Sequence, residues 1–169
     1  MDRTANLLGA LALAISDAQT QAMEVASSLG RSATATLVTL GEYPGLSVAA
    51  LAATVGLSHS ATVRLVDDLE RRGVVQRTPG ADRRSVGLGL TGAGMDLRAR
   101  VMQSRADVLE RSLAEVPPAD REMLTQVLSR ILEDLTTSQT AADHICRLCD
   151  EDACGRDDCP VERRAVALS

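Results

Sequence analysis

The chain has 169 residues, room for one compact domain and an appendage, and its 45 % apolar content is enough to build a core. It has no Phe, no Trp and a single tyrosine, Tyr43, so the aromatic platforms that stack single-stranded nucleic acid or RNA loops are missing and duplex DNA is the nucleic acid it suits. The formal charge of −5 is unevenly spread: from Leu57 to Arg100 eight arginines face five carboxylates, whereas from Ala141 to Ser169 four arginines face seven. The middle is therefore basic and the tail acidic, which matters more for a polyanionic partner than the sum does. No apolar run reaches membrane-spanning length, and the N-terminus lacks the basic start and apolar core of a secretory signal. The expectation is a cytoplasmic protein without membrane contacts, in which cysteines stay reduced.

In chain order, Leu7, Leu11, Ile15, Ala18, Ala22, Val25 and Leu29 recur at three- and four-residue steps and predict a helix over Thr4–Leu29 that ends at Gly30. A shorter helix is expected from Ser32 to Leu40, stopping at Gly41, before a turn at Pro44-Gly45. Ser47 is a good N-cap for a helix through Val55, and Gly56 suits the left-handed residue that closes it. Ser58 then caps a second helix to about Arg72, with Gly73 after it. Its apolar residues Val63, Val66 and Leu69 are expected on one face, leaving His59, Ser60, Thr62, Arg64 and Asp67 on others.

Val74–Thr78, the turn Pro79-Gly80-Ala81-Asp82 and Ser85–Leu90 read as a two-stranded hairpin, whose second strand Gly87 and Gly89 weaken. Thr91 caps a long helix to about Glu115, which makes Gly92-Ala93-Gly94 a helix start rather than a phosphate loop. Pro117-Pro118 break that helix, and the next, with Asp120 and Glu122 in its first turn, carries a stripe of Leu124, Val127, Leu128, Ile131 and Leu135. After Gln139 the periodicity stops.

A helix, tight turn, second helix and hairpin make a winged helix-turn-helix. The second helix enters the major groove N-terminal end first, so Ser58, His59, Ser60, Thr62 and Arg64 are the candidate base and phosphate contacts. The hairpin tip carries Asp82, Arg83 and Arg84, and an arginine there suits an adjacent narrowed minor groove. At Leu69-Glu70-Arg71-Arg72-Gly73-Val74-Val75-Gln76-Arg77, Asp82-Arg83-Arg84-Ser85 and Leu90-Thr91-Gly92-Ala93-Gly94 the chain resembles the MarR family of transcriptional regulators. The resemblance in helix order covers roughly residues 4–139, and its sharp motif is confined to residues 57–94. It implies a mainly α fold with a small two-stranded wing: residues 1–30 a dimerisation helix, 31–94 the DNA-binding domain, and 95–140 further dimerisation helices. It also implies a dimer built by the first and last helices and a small organic ligand as effector; a homodimeric repressor or activator on a pseudo-palindromic operator is expected, with a redox or metal signal through the tail as the alternative.

Residues 141–169 depart from that family pattern. Cys146, Cys149, Cys154 and Cys159 are spaced C-x2-C-x4-C-x4-C, the spacing of a zinc knuckle with cysteine in place of histidine. Four thiolates can close a tetrahedron on zinc at about 2.3 Å per bond, with Gly155 letting the chain turn. An iron–sulfur cluster is the rival, since it too takes four cysteines and Pro160 follows the last of them. A metal-free thiol switch is the third reading, against which Asp150, Glu151 and Asp152 are expected to raise the thiol pKa values. Arg147, Arg156 and Arg163 are expected to offset a negative centre, and His144 to be a solvent-exposed residue rather than a replacement ligand. A thiol–disulfide oxidoreductase built on Cys146-x-x-Cys149 lacks the βαβ context of that chemistry, and with no nucleophile, base and orienter elsewhere the chain reads as a non-enzyme.

Overall fold

Asp2 starts the first helix by accepting a hydrogen bond from the Ala5 N–H at 2.8 Å. In the computed structural model, which describes residues 2–79, 86–155 and 157–168, α1 then runs Arg3–Ser27. Ser28, in the left-handed conformation at φ 55°, closes α1. The helix thus ends ahead of Gly30, which becomes the N-cap of α2 (Arg31–Glu42). α2 also continues past the expected stop at Gly41, because Glu42 in its last turn is paired with Arg98.

The next helices follow the local capping chemistry. Ser47 accepts from the Ala50 N–H at 3.2 Å to open α3 (Val48–Val55), and Gly56 at φ 71° closes it. Ser58 accepts from the Ala61 N–H at 3.3 Å to open α4 (His59–Arg71), which meets α3 at 103°. Strands β1 (Val75–Pro79) and β2 (Val86–Leu90) pair antiparallel with Val75 opposite Leu90 and Pro79 opposite Val86. The tip between them, including Asp82, Arg83 and Arg84, lies outside the described residues.

The glycines expected to weaken β2 have a packing reason at Gly87. The segment before α3 crosses there, with the Gly45 N–H donating to the Leu88 carbonyl at 2.7 Å and the Leu88 N–H to the Leu46 carbonyl at 2.9 Å. A Cβ on Gly87 would sit 2.9 Å from the Gly45 carbonyl oxygen. Thr91 caps α5 (Gly92–Leu113) by accepting from the Gly94 N–H at 3.1 Å, and its hydroxyl donates to the Gly73 carbonyl at 2.6 Å. After the turn at Pro117, α6 runs Pro118–Leu135 with proline in its first turn.

α2 is the centre of the molecule. Every residue from Ala33 to Leu40 is buried, with α1, α3, α5 and β2 packed around it. The buried hydroxyls of Thr34 and Thr36 donate back to the Arg31 and Ser32 carbonyls at 2.8 and 2.9 Å, so they enter the core already satisfied. α6, by contrast, has no buried side chain at all.

Beyond Gln139, where no periodicity was expected to persist, the chain is still helical: α7 (Gln139–Cys146), α8 (Glu151–Cys154) and α9 (Pro160–Ala167). These helices are too short to display a repeat in sequence. Ala142, Val161 and Ala165 form a small core of their own with Leu132 and Ile145. α7 packs on α3, α9 on α6, and α7 on α9. Among the described residues no single helix is long and apolar enough to cross a membrane.

The start of α5 is where one methyl group is least tolerated, since a Cβ on Gly94 would lie 2.0 Å from the Val74 carbonyl oxygen. Gly94→Ala is expected to cost about 2 kcal/mol, roughly 4–8 °C in Tm, through overpacking. Thermal unfolding followed by circular dichroism checks this, and an unchanged Tm would contradict the close packing of α5 on Val74.

Candidate DNA interface and thiol cluster

The N-terminal end of α4 is presented outward. Ser58, His59, Ser60 and Arg64 are exposed, with the Ser58 and Ser60 hydroxyls 3.4 Å apart. Thr62 is a correction. It is fully buried, and its hydroxyl donates to the Ser58 carbonyl at 3.0 Å, so it packs with Val66 and Leu69 in the core and cannot reach a base. Val63, expected on the buried face, is only partly covered.

The arginines around α4 are not equally available. Arg71 and Arg72 hold Asp68 at 2.9 and 2.7 Å, and this pairing, the Arg72 hydrogen bond first, keeps the Asp68 carboxyl below its usual range. Arg77 on β1 reaches back to Asp67 at 2.7 Å and to Glu70; the Asp67 hydrogen bond is the main cause of its raised pKa. Among the described residues Arg64 is the arginine of this helix without a carboxylate partner. Its charge is therefore available to a phosphate or to a guanine edge.

In the tail, all four cysteines line one cavity of about 220 Å³, together with Tyr43, Asp143, Glu151 and Glu162. The thiols are free. Cys146 and Cys149 act on each other most strongly: their interaction holds the Cys146 thiol far up and is the main cause of the lowering of Cys149 to about 7. Burial opposes the lowering, and the Arg105 and Arg147 guanidiniums support it. The neighbouring carboxylates thus do not dominate at Cys149 as expected, although Glu151 acts in that direction. Burial is the first cause raising Cys154, followed by Cys149 and Cys159, with Asp150 a smaller contributor. Gly155, at φ 67°, makes the turn foreseen for it. Among the described residues no three His, Cys, Asp or Glu side chains converge closely enough to share one ion.

The tail is tied to the DNA-binding unit by contacts that the sequence did not signal. His144, expected to be exposed, is half-buried, and its Nδ1–H donates to the Thr54 carbonyl at the end of α3 at 2.9 Å. A Cβ on Gly56 would meet the same ring at 2.9 Å. The Tyr43 hydroxyl at the end of α2 donates to Glu151 in α8. Of the expected counter-charges, Arg147 donates to the His144 carbonyl beside the cavity, while Arg163 is engaged 2.8 Å from Glu133 on α6. Arg156 lies outside the described residues. Arg105, from α5, takes a place beside the thiols that nothing in its own helix foretold.

Three comparisons bear on this arrangement. A MarR family model matches residues 27–85, the segment from the end of α1 past β1 to the residue before β2. A putative transcriptional regulatory protein for the hcr operon of Thauera aromatica is 32 % identical over 96 residues, 56 % of this chain and 58 % of its own length, so the chain spans little more than half of that relative. Among solved structures, CouR from Rhodococcus jostii RHA1, bound to p-coumaroyl-CoA, is 30 % identical with a TM-score of 0.61, covering 77 % of this chain and 92 % of that one. A MarR-family transcriptional regulator from Rhodococcus sp. RHA1 is also 30 % identical, with a TM-score of 0.58 and coverage of 74 % and 89 %. With the exposed end of α4, the wing and the helix order in agreement with these matches, the chain belongs to the MarR family of winged-helix, DNA-binding transcriptional regulators and is not an enzyme.

Proposed function

We propose that this regulator is a homodimeric repressor that reads a pseudo-palindromic duplex with one α4 in each of two successive major grooves, and that its four-cysteine tail holds a thiolate-ligated metal centre. The observation that carries the DNA reading is the outward-facing set Ser58, His59, Ser60 and Arg64 at the start of a capped helix, with Arg64 free of carboxylates among the described residues. A helix N-terminus adds its own attraction for phosphate. The wing arginines Arg83 and Arg84, placed by sequence at the hairpin tip, complete the interface.

The dimer is supported by α6. An 18-residue helix without a buried side chain, carrying Met123 at 62 % and Leu135 at 61 % exposure, does not stand alone in water. Leu7 and Leu13 on α1 are exposed in the same way. A second copy supplies the matching face under two-fold symmetry, and the two recognition helices then lie about one helical turn apart.

A second reading of the signal rests on a different cavity. Leu8, Leu11, Ile15, Leu109, Leu113 and Leu128 enclose about 640 Å³ between α1, α5 and α6, with Arg31 and Arg147 also on its lining. An apolar space with two cations suits an anionic organic ligand, and p-coumaroyl-CoA, bound by CouR, belongs to that class. In this reading the tail is a structural staple.

Selection from a randomised duplex pool is expected to return two half-sites of mirrored sequence centred about 10 base pairs apart. Sedimentation equilibrium is expected to give twice the 17.8 kDa chain mass. A single unrepeated site together with a monomer would overturn the dimeric reading. On the selected duplex, Arg64→Ala is expected to weaken binding by about 1–3 kcal/mol if it reads a base, or to lower the salt slope by about 1 if it holds a phosphate. Arg84→Ala is expected to weaken binding strongly with fold and dimer intact. Wild-type affinity for Arg84→Ala at physiological salt would remove the wing from the interface.

A further inference from the structure

Resting on the DNA-binding reading above, we infer that the cysteine cavity holds an iron–sulfur cluster and that α3 reads its occupancy through the His144–Thr54 contact. The first argument is the shape of the donor set. Zinc requires four sulfurs around one point at about 2.3 Å. Here all four cysteines line a common cavity of about 220 Å³, and among the described residues no three donors converge on one ion. Four thiols on the lining of one cavity suit a polynuclear core ligated at its corners. Cys159 is followed by Pro160, which starts α9 and turns the chain away from the last ligand.

The second argument is charge. A cluster carried by four thiolates is a net negative centre inside a tail that is itself acidic. Arg105 meets that need from α5: it stands close enough to Cys149 and Cys154 to favour their thiolates, and its Nε is buried without a hydrogen-bond partner among the described residues. A buried guanidinium N–H left unpaired is costly. A negative centre in the cavity eases that cost through its field, since Arg105 is near enough to act on Cys149 and Cys154.

The third argument is placement. α9 rests on α6 and α7 rests on α3, and both α7 and α9 line the cavity, so the cysteine segment bridges the helix proposed for the partner and the support helix of the DNA-reading unit. His144 is two residues before the first cysteine on α7, and its ring donates to the last turn of α3 at 2.9 Å. Tyr43, itself on the lining of the cavity, ties the end of α2 to α8. Ligation fixes α7, α8 and the turn into α9 relative to one another, and with them the end of α3 that positions α4. Without the cluster, segments of four to eight residues are held by one small core and by their contacts with α3, α6 and Tyr43. Cluster binding releases the thiol protons as the ligands become thiolates.

The test uses the full chain, stripped of metal and then loaded without oxygen, either with ferric iron, a thiol reductant and sulfide or with zinc alone. Uptake of iron and sulfide in equal amounts with a broad visible absorption, lost in Cys154→Ser, is expected. Stoichiometric zinc binding with no retention of iron and sulfide would overturn the cluster. On the selected duplex the cluster-loaded protein is expected to bind about tenfold more tightly than the stripped protein. His144→Ala is expected to keep its full iron content while that ratio falls towards one. Equal affinity of the loaded and stripped wild-type protein, or an undiminished ratio in His144→Ala, would overturn the coupling. Failure of every form to bind any selected duplex would instead sink the DNA-binding reading, leaving the iron analysis to stand by itself.

Discussion

The burial of α2 on all sides is the constraint from which the arrangement follows. A helix with Ala33 to Leu40 all out of water can exist only if other elements cover each of its faces, and α1, α3, α5 and β2 do so. Small residues on α2 let these neighbours approach closely, and the hydroxyls of Thr34 and Thr36 donate to carbonyls three or four residues back, while that of Thr39 is buried without a partner among the described residues. One end of this buried rod carries Glu42, paired with Arg98 of α5, and then Tyr43, bonded to Glu151 of the tail. The same element therefore registers the long helix, the DNA-reading helices and the cysteine segment against one another.

Charge pairing narrows the DNA-reading surface. The surplus of arginine in the middle of the chain overstates what faces outward, because Arg71, Arg72 and Arg77 are taken up by Asp68, Asp67 and Glu70. Exposed pairs of this kind contribute little to stability, but they orient side chains and withdraw charge from the groove-facing end of α4. What remains there is a short array of hydroxyls, one histidine and Arg64. Such a surface favours close approach and specific contacts over bulk electrostatic attraction.

Much of the DNA-binding unit was legible because its signals are local. Ser47, Ser58 and Thr91 cap their helices with hydrogen bonds to residues three positions on, and Gly56 closes α3 in a conformation that its lack of a Cβ permits. Thr62 was misjudged for the same reason that made its neighbours readable. A threonine looks polar in sequence, but its position repeats with Val66 and Leu69, and a hydroxyl satisfied within its own helix turn enters the core at little cost. Gly87 read as a defect in β2, yet it is the place where the Gly45 segment lies against the strand. In the tail the cysteine spacing was visible, but α7, α8 and α9 were not, since four to eight residues show no helical period.

By itself the sequence determined the elements, their caps, the winged-helix order and the gathering of four thiols in one short segment, because each depends on interactions within a few residues along the chain. The tertiary structure decided what those pieces touch. It placed Thr62 inside, laid His144 against Thr54 and left α6 without a buried side chain. These outcomes join residues as much as 90 positions apart, and they depend on which faces remain after α2 is covered. That competition for buried surface is a property of the whole packed chain, and no local pattern encodes it.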